Sequence, residues 1–187
     1  MIFLRLFCIL FIVSLSSCTN SASNTLIAKN QLGLLTENTS ILELSSILVN
    51  DSIPKIEDPS QLKRISEIEV FNQEGRISLI IEPKYSNDTT ATIKEIQILD
   101  PKYKTKTGLN VDSTFKSIYE NYKITNIQNT INSVIISIEE IGAYLVIDKK
   151  YLPSELRFDS ELKIETNQIP DDAPLKYFWL KFDKSES

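Results

Sequence analysis

Histidine is absent from this chain of 187 residues, and cysteine occurs only twice, at Cys8 and Cys18. The first absence removes the Ser-His-Asp and Cys-His arrangements and every histidine-containing zinc site. The second leaves the long stretch after residue 18 without a thiol for a disulfide, a nucleophile or a metal, so its stability has to come from packing. Glycine is scarce, at four residues, and no G-x-G-x-x-G, Walker loop or G-x-S-x-G occurs. No apolar run reaches the ~20 residues that a helix needs to cross hydrocarbon. Positive charge is also short, with 20 basic against 25 acidic residues and a formal net charge of −5. Nucleic-acid partners require a concentrated positive footprint, so that class is disfavoured. The best local exception is Lys102-Tyr103-Lys104-Thr105-Lys106, whose lysines share one face if extended, the pattern of a solvated strand face.

What is present at the start is an export signal. Met1 to Arg5 is a short n-region with one positive charge, and Leu6 to Val13 is an unbroken apolar run flanked by Ser14, Ser16 and Ser17. The next residues, Leu15-Ser16-Ser17-Cys18, are branched apolar, small, small and cysteine. This tetrad resembles the lipobox of bacterial lipoproteins at all four positions. The resemblance implies removal of residues 1–17, a diacylglyceryl thioether on Cys18 and an acylated amino group on the same residue. Each acyl methylene buried in a bilayer contributes ~0.8 kcal/mol, and two or more chains hold stably. Thr19 stands where an aspartate often marks inner-membrane retention in that family, which favours the outer membrane. Thr19 to Thr25 is small and polar, and residues 18–30 as a whole are expected to form the lipidated cysteine and a flexible tether.

Residues 31–187 are long enough for one domain with a sizeable core. The pattern within them is an approximate internal repeat, 31–105 and 106–182, in which a short amphipathic helix is followed by antiparallel strands, an α+β organisation. In the first unit Asn38-Thr39-Ser40 precedes Ile41, Leu44, Ile47 and Leu48, and Ser40 with Glu43 has the spacing of a capping box. In the second, Asp112-Ser113-Thr114 precedes Phe115, Ile118, Tyr119 and Tyr122. Each cap is expected to contribute ~1 kcal/mol. After each helix the apolar period drops to about two, the strand period. Strands are expected at Glu67 to Phe71, Ile77 to Ile81, Ile93 to Ile98, Ile124 to Gln128, Val134 to Ile138 and Ala143 to Ile147. A last strand, Leu175 to Phe182, is apolar on both faces and is expected inside the sheet or at an interface. The stretch Lys106-Thr107-Gly108-Leu109-Asn110-Val111-Asp112-Ser113-Thr114 resembles the glycine, hydrophobic and capping pattern of beta-lactamase-inhibitor proteins and small barrel-assembly lipoproteins. That resemblance implies a tandem helix-plus-sheet fold and transfers no functional residue.

Candidate chemistry is thin. Glu139-Glu140 and Asp171-Asp172 are adjacent acidic pairs, but carboxyls that cooperate in glycoside hydrolysis face each other across a cleft ~5 to 9 Å wide, which adjacency in sequence does not indicate. Asp171-Asp172 and Asn87-Asp88 lack the alternating oxygen ligands and glycine of an EF-hand loop, so neither a metal nor a cofactor is expected. Tyr177 and Trp179 share one face of the last strand, in the same half as Tyr144, Tyr151 and Phe158. Aromatics at alternating strand positions ordinarily join the core; exposed together, they would form a binding face. The expectation is therefore a membrane-anchored lipoprotein of the bacterial envelope, held by acyl chains on Cys18, that serves as a non-catalytic binding or accessory module for another envelope protein. The alternative is an enzyme of unrecognised type using carboxylate chemistry on an envelope substrate.

Overall fold

The computed structural model describes residues 24–53, 66–85, 88 and 90–183. Cys18, the expected signal segment 1–17 and the first part of the expected tether lie outside the described residues, as does Asn87. The rest is an α+β fold with mostly antiparallel sheet. Three two-residue strands, β1 (Ile27–Ala28), β2 (Gln31–Leu32) and β3 (Leu35–Thr36), make a small N-terminal sheet. After them come a 3-10 turn, Ile41–Glu43, and α1 (Leu44–Ile47). The large sheet then begins with β4 (Ile68–Phe71), β5 (Ile77–Pro83) and β6 (Ile93–Ile98). A second helix, α2 (Phe115–Asn121), leads into β7 (Asn126–Asn129), β8 (Ser133–Ile138) and β9 (Ala143–Asp148). The chain closes on β10 (Tyr177–Lys181).

These seven long strands form one antiparallel sheet in the order β4-β5-β6-β10-β9-β8-β7. β10 is its central strand: Phe178 lies opposite Ile98 of β6 and Leu145 of β9, and Trp179 lies opposite Gln97 and Tyr144. The reason is visible in its composition. A long apolar strand left at an edge would be a template for aggregation, and two flanking strands pair its backbone on both sides.

The two faces of the sheet differ. On one, Val70, Leu79, Ile81, Ile96, Ile98, Phe178, Leu180, Leu145, Ile147, Val134 and Ile136 are all sealed from solvent. Phe115 and Ile118 of α2, Leu44 of α1, and Ile27, Leu32 and Leu35 of the small sheet belong to the same core. At the alternate positions Ile80, Glu95, Trp179, Tyr144, Ile135 and Ser137 stay partly exposed, while Ser78, Gln97 and Val146 are buried.

Three local expectations are corrected. Residues 26–30, placed in the flexible tether, are built into the domain: Ile27 is buried, its N–H donates to the Lys104 carbonyl at 2.9 Å, and the Lys104 N–H donates to Thr25 at 3.0 Å. The turns that fold this segment use Asn30 and Gly33 at φ 56° and 58°. At Gly33 a Cβ would stand 2.2 Å from the Asn24 carbonyl oxygen, so the close approach requires glycine. Second, α2 is not capped by its own side chains. Thr114 makes no side-chain cap bond, and the Phe115 and Lys116 N–H groups donate instead to the Ala173 and Asp171 carbonyls, each at 2.9 Å. Those orphan donors are thus satisfied by the turn that precedes β10, which ties the helix to the central strand. Third, Tyr119 is exposed and stacks on Phe115 at 6.1 Å rather than entering the core.

At the first helix the expected capping box between Ser40 and Glu43 is formed. Glu43 Oε2 accepts from both the Ser40 N–H and the Ser40 hydroxyl at 2.8 Å. The backbone bond from Ser40, followed by its hydroxyl, holds the Glu43 carboxyl below its usual range.

Candidate binding face

The partly exposed face of the sheet carries an aromatic cluster at its centre. Tyr144 and Trp179 are directly opposed on β9 and β10, and their rings stack at 5.8 Å with an interplanar angle of 5°. Opposed residues in an antiparallel pair hold their Cβ atoms close enough for such contacts, so the register alone brings the two rings together. Tyr177, two residues before Trp179 and 39% exposed, extends the same face. Cations sit over these rings: Lys181 Nζ is 5.2 Å from the Tyr144 centroid, and Lys176 Nζ is 5.5 Å from that of Tyr177.

Next to the rings lies a polar network. Tyr144 donates its hydroxyl proton to Glu95 Oε2 at 3.0 Å, while Lys94 Nζ lies 3.1 Å from both Glu82 and Glu95. Glu82 and Glu95 are themselves opposite each other on β5 and β6. Burial is the main cause that raises the Glu82 carboxyl above its usual range, helped by the neighbouring Glu95. Burial also pushes Glu95 up, but hydrogen bonds from Lys94, Tyr144 and Glu82 outweigh it, and this carboxyl ends below its usual range. Burial, followed by the bond to Glu95, raises the Tyr144 hydroxyl, which stays a neutral donor.

This split has a measurable consequence. For Glu82, whose folded value is raised, the stabilisation is complete below its unfolded value and disappears as pH rises through the folded one. For Glu95 the sign is reversed, with stabilisation present above its unfolded value and lost as pH falls. Glu82→Gln removes the first contribution and keeps an amide N–H that can donate to Glu95 in place of the carboxyl proton. The stability of that variant relative to wild type is therefore expected to increase as pH rises through and above the ordinary glutamate range. Melting midpoints across this range check it; parallel curves would show that the two carboxylates do not titrate against each other.

The acidic pairs singled out in the sequence lie elsewhere. Glu139 and Glu140 are exposed in the turn between β8 and β9, and Asp171 and Asp172 are exposed in the turn before β10. Lys102, Lys104 and Lys106 are exposed and alternate with buried Tyr103 and Thr105, a solvated face in which Lys102 pairs with Asp51 at 3.3 Å. Tyr151 and Phe158 are exposed but lie outside the strands, so they do not extend the cluster through the sheet register. Sequence reasoning paired Tyr177 with Trp179 along one strand but missed the cross-strand stack with Tyr144 and the Glu82–Glu95 pair. Among the described residues, no helix is long and apolar enough to cross a membrane.

No protein-family model and no curated protein matches this sequence. Among solved structures, the crystal structure of the uncharacterized protein yfeY from Escherichia coli is similar, with a TM-score of 0.52 over 84% of this chain and 99% of that chain. At 14% identity the likeness is one of fold.

Proposed function

We propose that this chain is a lipid-anchored protein of the bacterial envelope, tethered through Cys18, that binds another envelope protein through the open face of its sheet. The observation that carries the binding reading is the Tyr144–Trp179 stack, flanked by Tyr177 and Lys181, on the face opposite the sealed core. Rigid aromatic rings with cations at their margins give large contact area at low entropic cost, the composition of interface hot spots. The anchor rests on Leu15-Ser16-Ser17-Cys18, and the identity of Thr19 favours the outer membrane.

A finer architectural reading goes with this one. Residues 31–105 and 106–182 are two versions of one unit, each a helix followed by three antiparallel strands, with β10 closing the sheet between them. The strand order β4-β5-β6 on one side and β9-β8-β7 on the other supports it, as do the aligned helix starts Ser40-Ile41 and Thr114-Phe115.

Carboxylate catalysis has one foothold, the Glu82–Glu95 pair with its divided titration. That pair faces out from neighbouring strands and is bridged by Lys94, whereas hydrolytic carboxyl pairs hold a substrate between them. The geometry therefore favours a non-catalytic module. Crosslinking in intact cells, followed by purification of the chain with what it retains, tests the reading. One dominant envelope protein is expected, and Tyr144→Ala with Trp179→Ala is expected to reduce its recovery about tenfold or more at unchanged abundance. Recovery equal to that from an unrelated tethered control would count against it.

A further inference from the structure

Next to the Tyr177 end of the aromatic cluster, a cleft of about 600 Å³ opens where the β7–β8 turn, the end of β9 and the start of β10 meet. Four cations line it, Lys149, Lys150, Arg157 and Lys176, against the single carboxylate of Asp148. In a chain with a net charge of −5 this is a local reversal of sign. Asp148 is occupied: it pairs with Lys176 at 3.3 Å and accepts the Lys150 backbone N–H at 3.0 Å.

The other three cations form no salt bridge among the described residues, although Lys150 is near enough to Asp148 to help lower its carboxyl and sits over the Tyr151 ring at 4.9 Å. Lys149 is the informative one. It is 3% exposed, yet its ammonium has a single long contact, 3.4 Å to the Asp159 carbonyl. A buried ammonium without a counter-charge is costly, and an anion brought into the cleft would supply one. Arg157 is set up to meet the same anion. Its Nε donates to the Leu152 carbonyl at 2.7 Å, which fixes the guanidinium and leaves its terminal N–H groups for a ligand. A planar fork beside lysine ammoniums matches the oxygens of a phosphate.

The rim is apolar. Phe158 and Ile131 line the cleft at 90% and 79% exposure, among the most solvent-exposed large hydrophobic side chains described. We propose that this cleft binds a phosphate group, and that Phe158 and Ile131 make an anionic phospholipid its source. The cations take the phosphate, and the two apolar side chains meet the glycerol and the first acyl methylenes. The cleft shares Lys176 with the margin of the aromatic face, where that lysine lies over Tyr177, but its existence does not depend on the protein partner proposed above.

Calorimetric titration of the purified full chain with inorganic phosphate and with monomeric dihexanoyl phosphatidylglycerol tests the proposal. Both are expected to bind, the lipid about tenfold or more tighter than the ion. Lys149→Met, which keeps the packed stem, and Arg157→Gln, at an exposed position, are each expected to weaken both ligands about tenfold or more. Ligand-free melting curves of both variants confirm that they are folded. Equal affinity for the two probes would overturn the lipid source and leave a site for free phosphate. Failure of both probes to bind at about 10 mM, or wild-type affinity in both variants, would overturn the site itself.

Discussion

Phe178→Ala is expected to destabilise the protein by about 3 to 5 kcal/mol, while Tyr177→Ala, one residue away, costs less than about 1 kcal/mol. The contrast follows from the alternation of β10. Phe178 is fully buried between Ile98 and Leu145, on the face where the two flanking sets of strands share one core. Truncation there removes a ring and leaves a cavity that three β-strands cannot easily close. Against a total stability of about 5 to 15 kcal/mol for ordinary domains, a loss of that size threatens the fold. Urea denaturation, with the midpoint falling and the slope unchanged, measures it. Similar losses for the two variants would mean that the faces of the central strand are assigned wrongly.

The second large effect concerns the anchor. Cys18→Ala is expected to abolish incorporation of an alkynyl fatty acid in growing cells and to release the chain from the membrane fraction. With two or more acyl chains the methylene contributions add to an attachment that is stable on cellular times, so removal of the single acceptor residue is all or none. Equal labelling of wild type and variant would refute acylation at this cysteine.

The strands were legible because their apolar groups recur every second residue with turns between them. The expected spans at 67–71, 77–81, 93–98, 134–138 and 143–147 differ from β4, β5, β6, β8 and β9 by two residues at most. The last strand, apolar on both faces at Tyr177, Phe178, Trp179 and Leu180, pointed to a place inside the sheet or at an interface, and only the structure puts it at the centre. The small N-terminal sheet was not. Its strands have two residues each, too few for any period to show, and it is held by Lys104, more than seventy positions away in sequence. The start of α2 misled for a related reason. Asp112-Ser113-Thr114 has cap chemistry, but the Ala173 and Asp171 carbonyls reach the helix first, and only tertiary structure places them there.

The candidate site divides along the same line. Tyr177 and Trp179 share a face because they are two residues apart on a strand, which sequence states directly. That Trp179 would stack on Tyr144, and that Glu82 would meet Glu95, depends on register between strands, which apolar alternation constrains to a face but not to a partner. The cleft around Lys149 was further out of reach. Lys149 and Lys150 are adjacent lysines just after a strand, and nothing local in the sequence signals that Arg157 and Lys176 join them.

The binding face is tested most directly by placing a photocrosslinking amino acid at Tyr177 and, in a parallel strain, at Tyr119. Both tyrosines are exposed, but one lies on the open sheet face and the other on α2 in the opposite layer. Irradiation of intact cells is expected to give one dominant adduct with an envelope protein from position 177 and little or none from 119. Equal adducts from both positions, or none from 177, would contradict a binding role for this face.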